Sequence, residues 1–171
     1  MTQPHYYKTL ADYNRWMNER VYEVCATLSD EARKRDLGAF FGSIHATLNH
    51  IMYGDLALLS RLTNNPPEVP ALGTELYPDF ESMREARISL DARIQTWCAS
   101  LSESWLLETL TYTSNVDGLE RTVPNWLIVT HIFNHQTHHR GQITTLLSQN
   151  GIDIGTTDLP FMPQFQTSPP Q

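Results

Sequence analysis

Between Pro124 and Asn150–Gly151 the chain has room for one long helix and little else. Ile128, Ile132 and Leu146 recur there at helical spacing. Pro124 suits a helix start, where its missing N–H costs nothing, and Asn150–Gly151 supplies the stop. The same periodicity recurs upstream. Leu10, Tyr13, Met17, Val21, Val24 and Leu28 predict a first helix from about His5 to Leu28. A second runs from about Ala39 to Leu62 and ends before "NNPPEVP", which no helix crosses. Asp79 is a good N-cap for a third, which continues to about Leu101. Before the fourth, "LTYT" and "LERTV", joined by "SNVDG", predict a short β-hairpin. The expected fold is therefore all-α: a four-helix bundle with a short β-hairpin between helices three and four. Such bundles commonly hold sites between facing helices.

At 171 residues the chain is expected to form a single domain over 1–171, with a tail from about residue 161 expected to be disordered. The net charge of −7 argues against a nucleic-acid partner, because phosphate binding needs clustered Lys and Arg. The one dense basic run, Arg33 to Arg35, lies between Glu31 and Asp36 and reads as a solvated loop. "MTQPHYYKTL" has no apolar leader and no stretch approaches a membrane span, so a cytoplasmic location and no membrane partner are expected. Cys25 and Cys98 each sit in a helical pattern and form no CxxC motif, which predicts core thiols in a reducing compartment.

Chemistry concentrates in "THIFNHQTHHRGQ". Four of the seven histidines, His131, His135, His138 and His139, fall there. On a helical wheel centred on His135, Ile128 and Leu146 lie at about +20°, His139 at about +40° and Ile132 at about +60°. His135 and His139 thus share the apolar side, while His131 and His138 fall at about −40° and −60°, on its edge. Histidines at i and i+4 can aim at a common point, as in the HExxH helix of zinc proteases. The intervening "QTH" carries no glutamate, so the built-in base of that motif is missing. His50, in "ATLNHIMYGDLALL", is the best candidate for a third ligand. It shares its face with Ser43, Ala46, Gly54 and Ala57, whose small side chains predict a cleft beside the imidazole. His45 and His5 read as helix-surface or terminal residues. Asp55 falls on the apolar side of its helix and needs a partner, either an arginine or the N–H of an imidazole.

"FFGSIHATLNHIMYGDLALLSRL", "LTYTSNVDG", "LIVTHIFNHQTHHRGQITTLLSQNG" and "TTDLP" together resemble the DinB family, bacterial damage-inducible-type proteins. The resemblance covers most of the chain in order. It implies a four-helix bundle with one divalent metal ion held by three histidines, one from the second helix and two from the HxxxH of the last. Carried over, these are His50, His135 and His139. The family is similar in fold to metal-dependent thiol transferases, and it pairs through helices, so a homodimer is expected. Zinc, nickel and iron all suit imidazole ligands.

No serine or cysteine nucleophile with a nearby base is evident, so the catalytic residues are unassigned and any chemistry rests on the metal. Two readings follow. One is a metal-dependent enzyme, of transferase or hydrolase type, that activates a low-molecular-weight thiol or water toward a small-molecule substrate. The other is a metal-stabilised structural or binding module with a fourth protein ligand. Gln142, Tyr53 and His138 are candidate polar helpers.

Overall fold

A computed structural model describes residues 2–166. Four long helices build the bundle: α1 (Gln3–Ala26), α3 (Ile44–Leu62), α4 (Phe80–Ala99) and α6 (Asn125–Gln149). Two short helices lie in the connections: α2 (Asp30–Lys34), which takes in part of the basic run read as a solvated loop, and α5 (Glu103–Leu107). β1 (Thr109–Thr113) and β2 (Glu120–Pro124) form the expected antiparallel hairpin, with Thr111 opposite Thr122. None of the described helices is long and apolar enough to cross a membrane.

Caps set the helix boundaries. Ser29, Ser43, Asp79 and Ser102 each accept a hydrogen bond from the backbone N–H three residues on. Ser43 corrects the expected start of the second long helix, which begins at Ile44 rather than Ala39. Residues 39–42 instead fold into a tight reversal, with Ala39 bridged to Gly42 and Gly42 at φ +77°. A left-handed residue there suits glycine and stops the helix from extending backward. The reversal presents Phe40 and Phe41 next to α3, which matters below.

α1 packs against α4 and α6, and α3 packs against α6. Leu48, Met52 and Leu59 of α3 and Ile132, Ile143 and Leu147 of α6 are almost fully buried in the shared core. α3 is central and buried on nearly every side. Cys25 and Cys98 are buried free thiols, both pushed up to about 12 by desolvation. The tail departs from the expected disorder: Leu159–Phe161 and Pro163–Phe165 form 3-10 turns, and Met162 is fully buried between them. Burying that one side chain anchors the turns. The rest of the expected disordered segment, 167–171, lies outside the described residues.

Candidate metal centre

The site lies where α3 meets α6. α3 contributes His50, and α6 contributes His135 and His139 one turn apart. One ligating nitrogen from each of the three falls within 4.8 Å of the others. His50 Nε2 and His135 Nε2 are 3.0 Å apart, close enough for one ring to donate to the other. Among the described residues this is the one cluster of three or more His, Cys, Asp or Glu side chains with metal-binding spacing.

Each imidazole is held by a different device. His135 lies in a cradle made by Gly54: a Cβ on that residue would stand 2.4 Å from His135 Cε1 and 2.9 Å from its Nδ1. Only glycine leaves room for the ring. His139 is oriented by Gln142, whose Oε1 accepts from His139 Nδ1 at 2.7 Å. That bond leaves Nε2 with a free lone pair, the arrangement typical of a metal-ligating histidine. His50 is stacked by Phe41, with ring centroids 3.9 Å apart and an interplanar angle of 22°. The same Phe41 meets His139 edge-on at 5.4 Å.

The electrostatics keep the cluster uncharged. Burial, reinforced by His139, lowers the His50 pKa to about 4. Burial and the neighbouring histidines lower His135 to about 3. Burial also lowers His139, against a smaller opposing pull from Gln142. Three neutral imidazoles with converging lone pairs fit a borderline-soft divalent cation such as zinc, nickel or iron. His135 Nδ1 is buried and has no protein partner. With no carboxylate or thiolate in the set, the cation would keep its full charge.

A family model described as the DinB family matches residues 1–170. The chain belongs to the DinB family. It is 26% identical over 155 residues to Protein DinB of Bacillus subtilis strain 168, covering 87% of this chain and 88% of that one. It is 27% identical over 128 residues to the uncharacterized protein YrdA of the same strain, covering 75% and 73%. A crystal structure of a DinB-like protein from Bacillus cereus ATCC 10987 superposes with a TM-score of 0.60. That match has 17% identity and covers 82% of this chain and 89% of the other, which speaks for the fold alone.

In this DinB-family chain the remaining candidates separate. His131 and His138 are exposed on α6, outside the cluster, as their edge positions on the wheel imply. His5 is exposed near the start of α1. His45 is a correction: it is 2% exposed rather than on the surface, with Nε2 2.9 Å from the carbonyl oxygen of Tyr77. It helps strap the loop of residues 63–79 to α3. Asp55 takes the arginine alternative, pairing with Arg87 at 2.6 Å and accepting from Gln136 Nε2. Of the four small residues beside His50, Gly54 gives its space to the His135 ring, whereas Ala46 faces a cavity. Tyr53 lines that cavity as well.

Sequence reasoning missed Phe41, because residues 39–43 read as helix. It also missed that Gln136 and Arg140 are buried. The buried face of α6 runs from about +20° to +160° on the His135-centred wheel. His135 is therefore at the rim of the core face, where a histidine meets a cleft, and not in its middle.

Proposed function

We propose that this protein is a metal-dependent enzyme. His50, His135 and His139 hold one divalent ion, which activates a low-molecular-weight thiol or a water toward a small electrophile. The observation that carries this reading is the convergence of three neutral imidazole nitrogens within 4.8 Å of one another, with His50 forming part of a cavity wall. A cation bound there supplies Lewis acidity, making a water or thiol that reaches it more acidic.

The chain's own residues have definable parts. Gln142 keeps the His139 proton on Nδ1. Gly54 lets the His135 ring seat fully against α3. Phe41 packs against two of the three imidazoles, those of His50 and His139. The Tyr53 hydroxyl, which accepts a long 3.4 Å bond from Asn115 Nδ2, is a polar group at the cavity that can still donate. The competing structural-site reading needs a fourth protein ligand. Among the described residues, no further His, Cys, Asp or Glu joins the three.

The test is metal analysis of protein purified without a nickel column. His50→Ala, His135→Ala and His139→Ala should each lose most of the bound metal, while exposed His138→Ala should keep it. Stoichiometric metal in His135→Ala would overturn the assignment. In the cobalt-substituted protein a small thiol should produce a sulfur-to-cobalt charge-transfer band. No change in the visible spectrum would remove the thiol version. The homodimer belongs to the same reading, and light scattering at micromolar concentration checks it: a mass near 19.6 kDa would exclude pairing.

A further inference from the structure

Three loops far apart in sequence place their most exposed apolar side chains around one opening. Phe40 comes from the reversal before α3 and is 85% exposed; Leu72 comes from the loop between α3 and α4 and is 52% exposed. Val116, at the tip of the β-hairpin, is 84% exposed. Isolated exposed apolar residues need no explanation, but a converging set around a concavity does. All three line the same cavity of about 580 Å³, whose wall includes His50, Phe41 and Tyr53.

The cavity is a built feature. The Leu72-to-Glu75 wall is held by Asn49, whose Oδ1 accepts from the backbone N–H groups of Leu76 and Tyr77 at 3.0 and 2.9 Å. Its Nδ2 donates to the Tyr77 carbonyl at 3.0 Å and to that of His45 at 3.3 Å. Asn49 is thereby consumed as a strap, although it too lines the cavity. No lysine or arginine lines the space. Its one carboxylate, Glu75, is exposed and stands 3.4 Å from His45 Nε2. What remains to meet a ligand is an apolar surface, an aromatic rim and the hydroxyls of Tyr53 and Thr74.

We propose that this cavity is the binding subsite for an uncharged small molecule bearing an aryl or alkyl group, presented to the histidine cluster through the His50 side. The assignment of that molecule as substrate rests on the metal-enzyme reading; the binding itself does not. A volume of this size lies within the roughly 300–1,000 Å³ range of small-molecule sites. Among the lining side chains an anion would find no lysine or arginine and would face Glu75. A charged group of either sign would lose hydration against a mostly apolar lining. Phe40 and Phe41 offer faces for stacking an aromatic ring.

The experiment uses the full chain in two forms, as purified and after chelator treatment, with the neutral fluorophore N-phenyl-1-naphthylamine as probe. The probe should bind with enhanced fluorescence in both forms. Naphthalenemethanol should displace it from the chelator-treated protein at a concentration at least ~10-fold lower than naphthoate or naphthylmethylammonium, since a charged group resists burial without a partner. Leu72→Glu and Val116→Glu, at exposed positions that do not threaten folding, should each weaken binding about tenfold or more by placing a charge at the rim. Both should leave the metal content unchanged. Three results would overturn the proposal: no probe binding, preferential displacement by either ion, or wild-type affinity in both variants, which would place the probe elsewhere. A protein that binds the probe as expected but holds no metal keeps the cavity assignment and loses the metal-enzyme reading. The two failures are therefore distinguishable.

Discussion

Helices α3 and α6 each contribute to two polar clusters, and the clusters behave in opposite ways. The first is a network across the middle of the bundle: Asn14 and Asn18 from α1, Asp55 from α3, Arg87 and Asp91 from α4, Gln136 and Arg140 from α6. Every member is buried. Arg87 pairs with Asp55 at 2.6 Å and Asp91 at 2.8 Å; Asn18 donates to Asp91 at 3.0 Å; Arg140 donates to Gln136 at 2.9 Å and also reaches Asn14. Two guanidiniums face two carboxylates, so the formal charge cancels. Both carboxylates, the three side-chain amides and the terminal guanidinium nitrogens of Arg87 and Arg140 all take part in hydrogen bonds, while Asp55 Oδ1 and Arg87 Nε are buried without a partner. The second cluster is the histidine triad, one residue away at both contact points: Gly54 precedes Asp55, and His135 precedes Gln136. Its nitrogens converge without an opposing charge. The network completes itself and specifies how four helices dock. The triad brings three ligating nitrogens within 4.8 Å of one another, and on the proposed reading a divalent ion completes it.

Ranked by effect on unfolding free energy, the largest break comes from the network. Arg87→Ala leaves Asp55 and Asp91 buried without their main cationic partner. Removing one side of a buried ion pair costs about 3–5 kcal/mol, measurable as a lowered urea midpoint. Asp55 is the vulnerable member, because burial already pushes it up to about 6 even with Arg87 pulling it down. If Arg87→Ala unfolds at the wild-type midpoint, the network does not hold the bundle together.

Gly54→Ala comes next and strikes both regions at their junction. The new methyl would overlap the His135 ring at 2.4 Å. Overpacking costs about 1–3 kcal/mol, against which the helix gains up to ~1 kcal/mol from replacing glycine. A modest net destabilisation is expected, together with a metal affinity lowered by at least ~10-fold, as when a ligand's supporting contact is lost. A variant that is more stable than wild type and holds metal equally well would show that the cradle is not needed.

Acid separates the regions further. His50 and His135 have folded-state pKa values of about 4 and about 3, below the ordinary histidine value near 6.5. Between those limits the unfolded chain binds more protons than the folded one, so stability rises with pH. The metal-free protein should therefore lose thermal stability as pH falls from about 6.5 toward 4. A His50→Gln, His135→Gln double variant should show a shallower decline over that window. Equal slopes would mean that groups outside the triad govern the acid response.

The two regions also differed in how far they could be read from sequence. The triad was legible because HxxxH spacing and the small residues around His50 are local patterns, and the DinB resemblance added the pairing of the two helices. The hairpin was legible for the same local reason. The network was not. Asn14, Asn18, Gln136 and Arg140 belong to no local motif, and only tertiary contact shows that they satisfy one another. Phe40 and Phe41 were misread because their spacing continues the periodicity of α3, while the cap at Ser43 and the positive φ at Gly42 end the helix. His45 was misread because its partner, the Tyr77 carbonyl, lies across a loop with no periodic signal.

The smallest expected effect on the fold is the sharpest test of the contrast. Gln142 is half-buried on α6 and its described hydrogen bond goes to His139 Nδ1. Replacing it with Leu removes that bond without stranding a buried charge, so stability should change by less than about 0.5 kcal/mol. The effect on the site should be much larger. Freed from its acceptor, His139 can turn its ring or move its proton to Nε2, and either change withdraws the lone pair from the cluster. Outer contacts of this kind are worth about 10–100-fold in metal affinity. Gln142→Leu should therefore match wild type in a urea titration of the metal-free protein, yet need a correspondingly higher free metal concentration for half-saturation. Gln142→Glu, which retains an acceptor at the same reach, should recover most of the affinity. If Gln142→Leu binds metal like wild type, His139 is positioned by packing against Phe41 and His50 alone. If it loses stability and affinity together, the triad is part of the structural core after all.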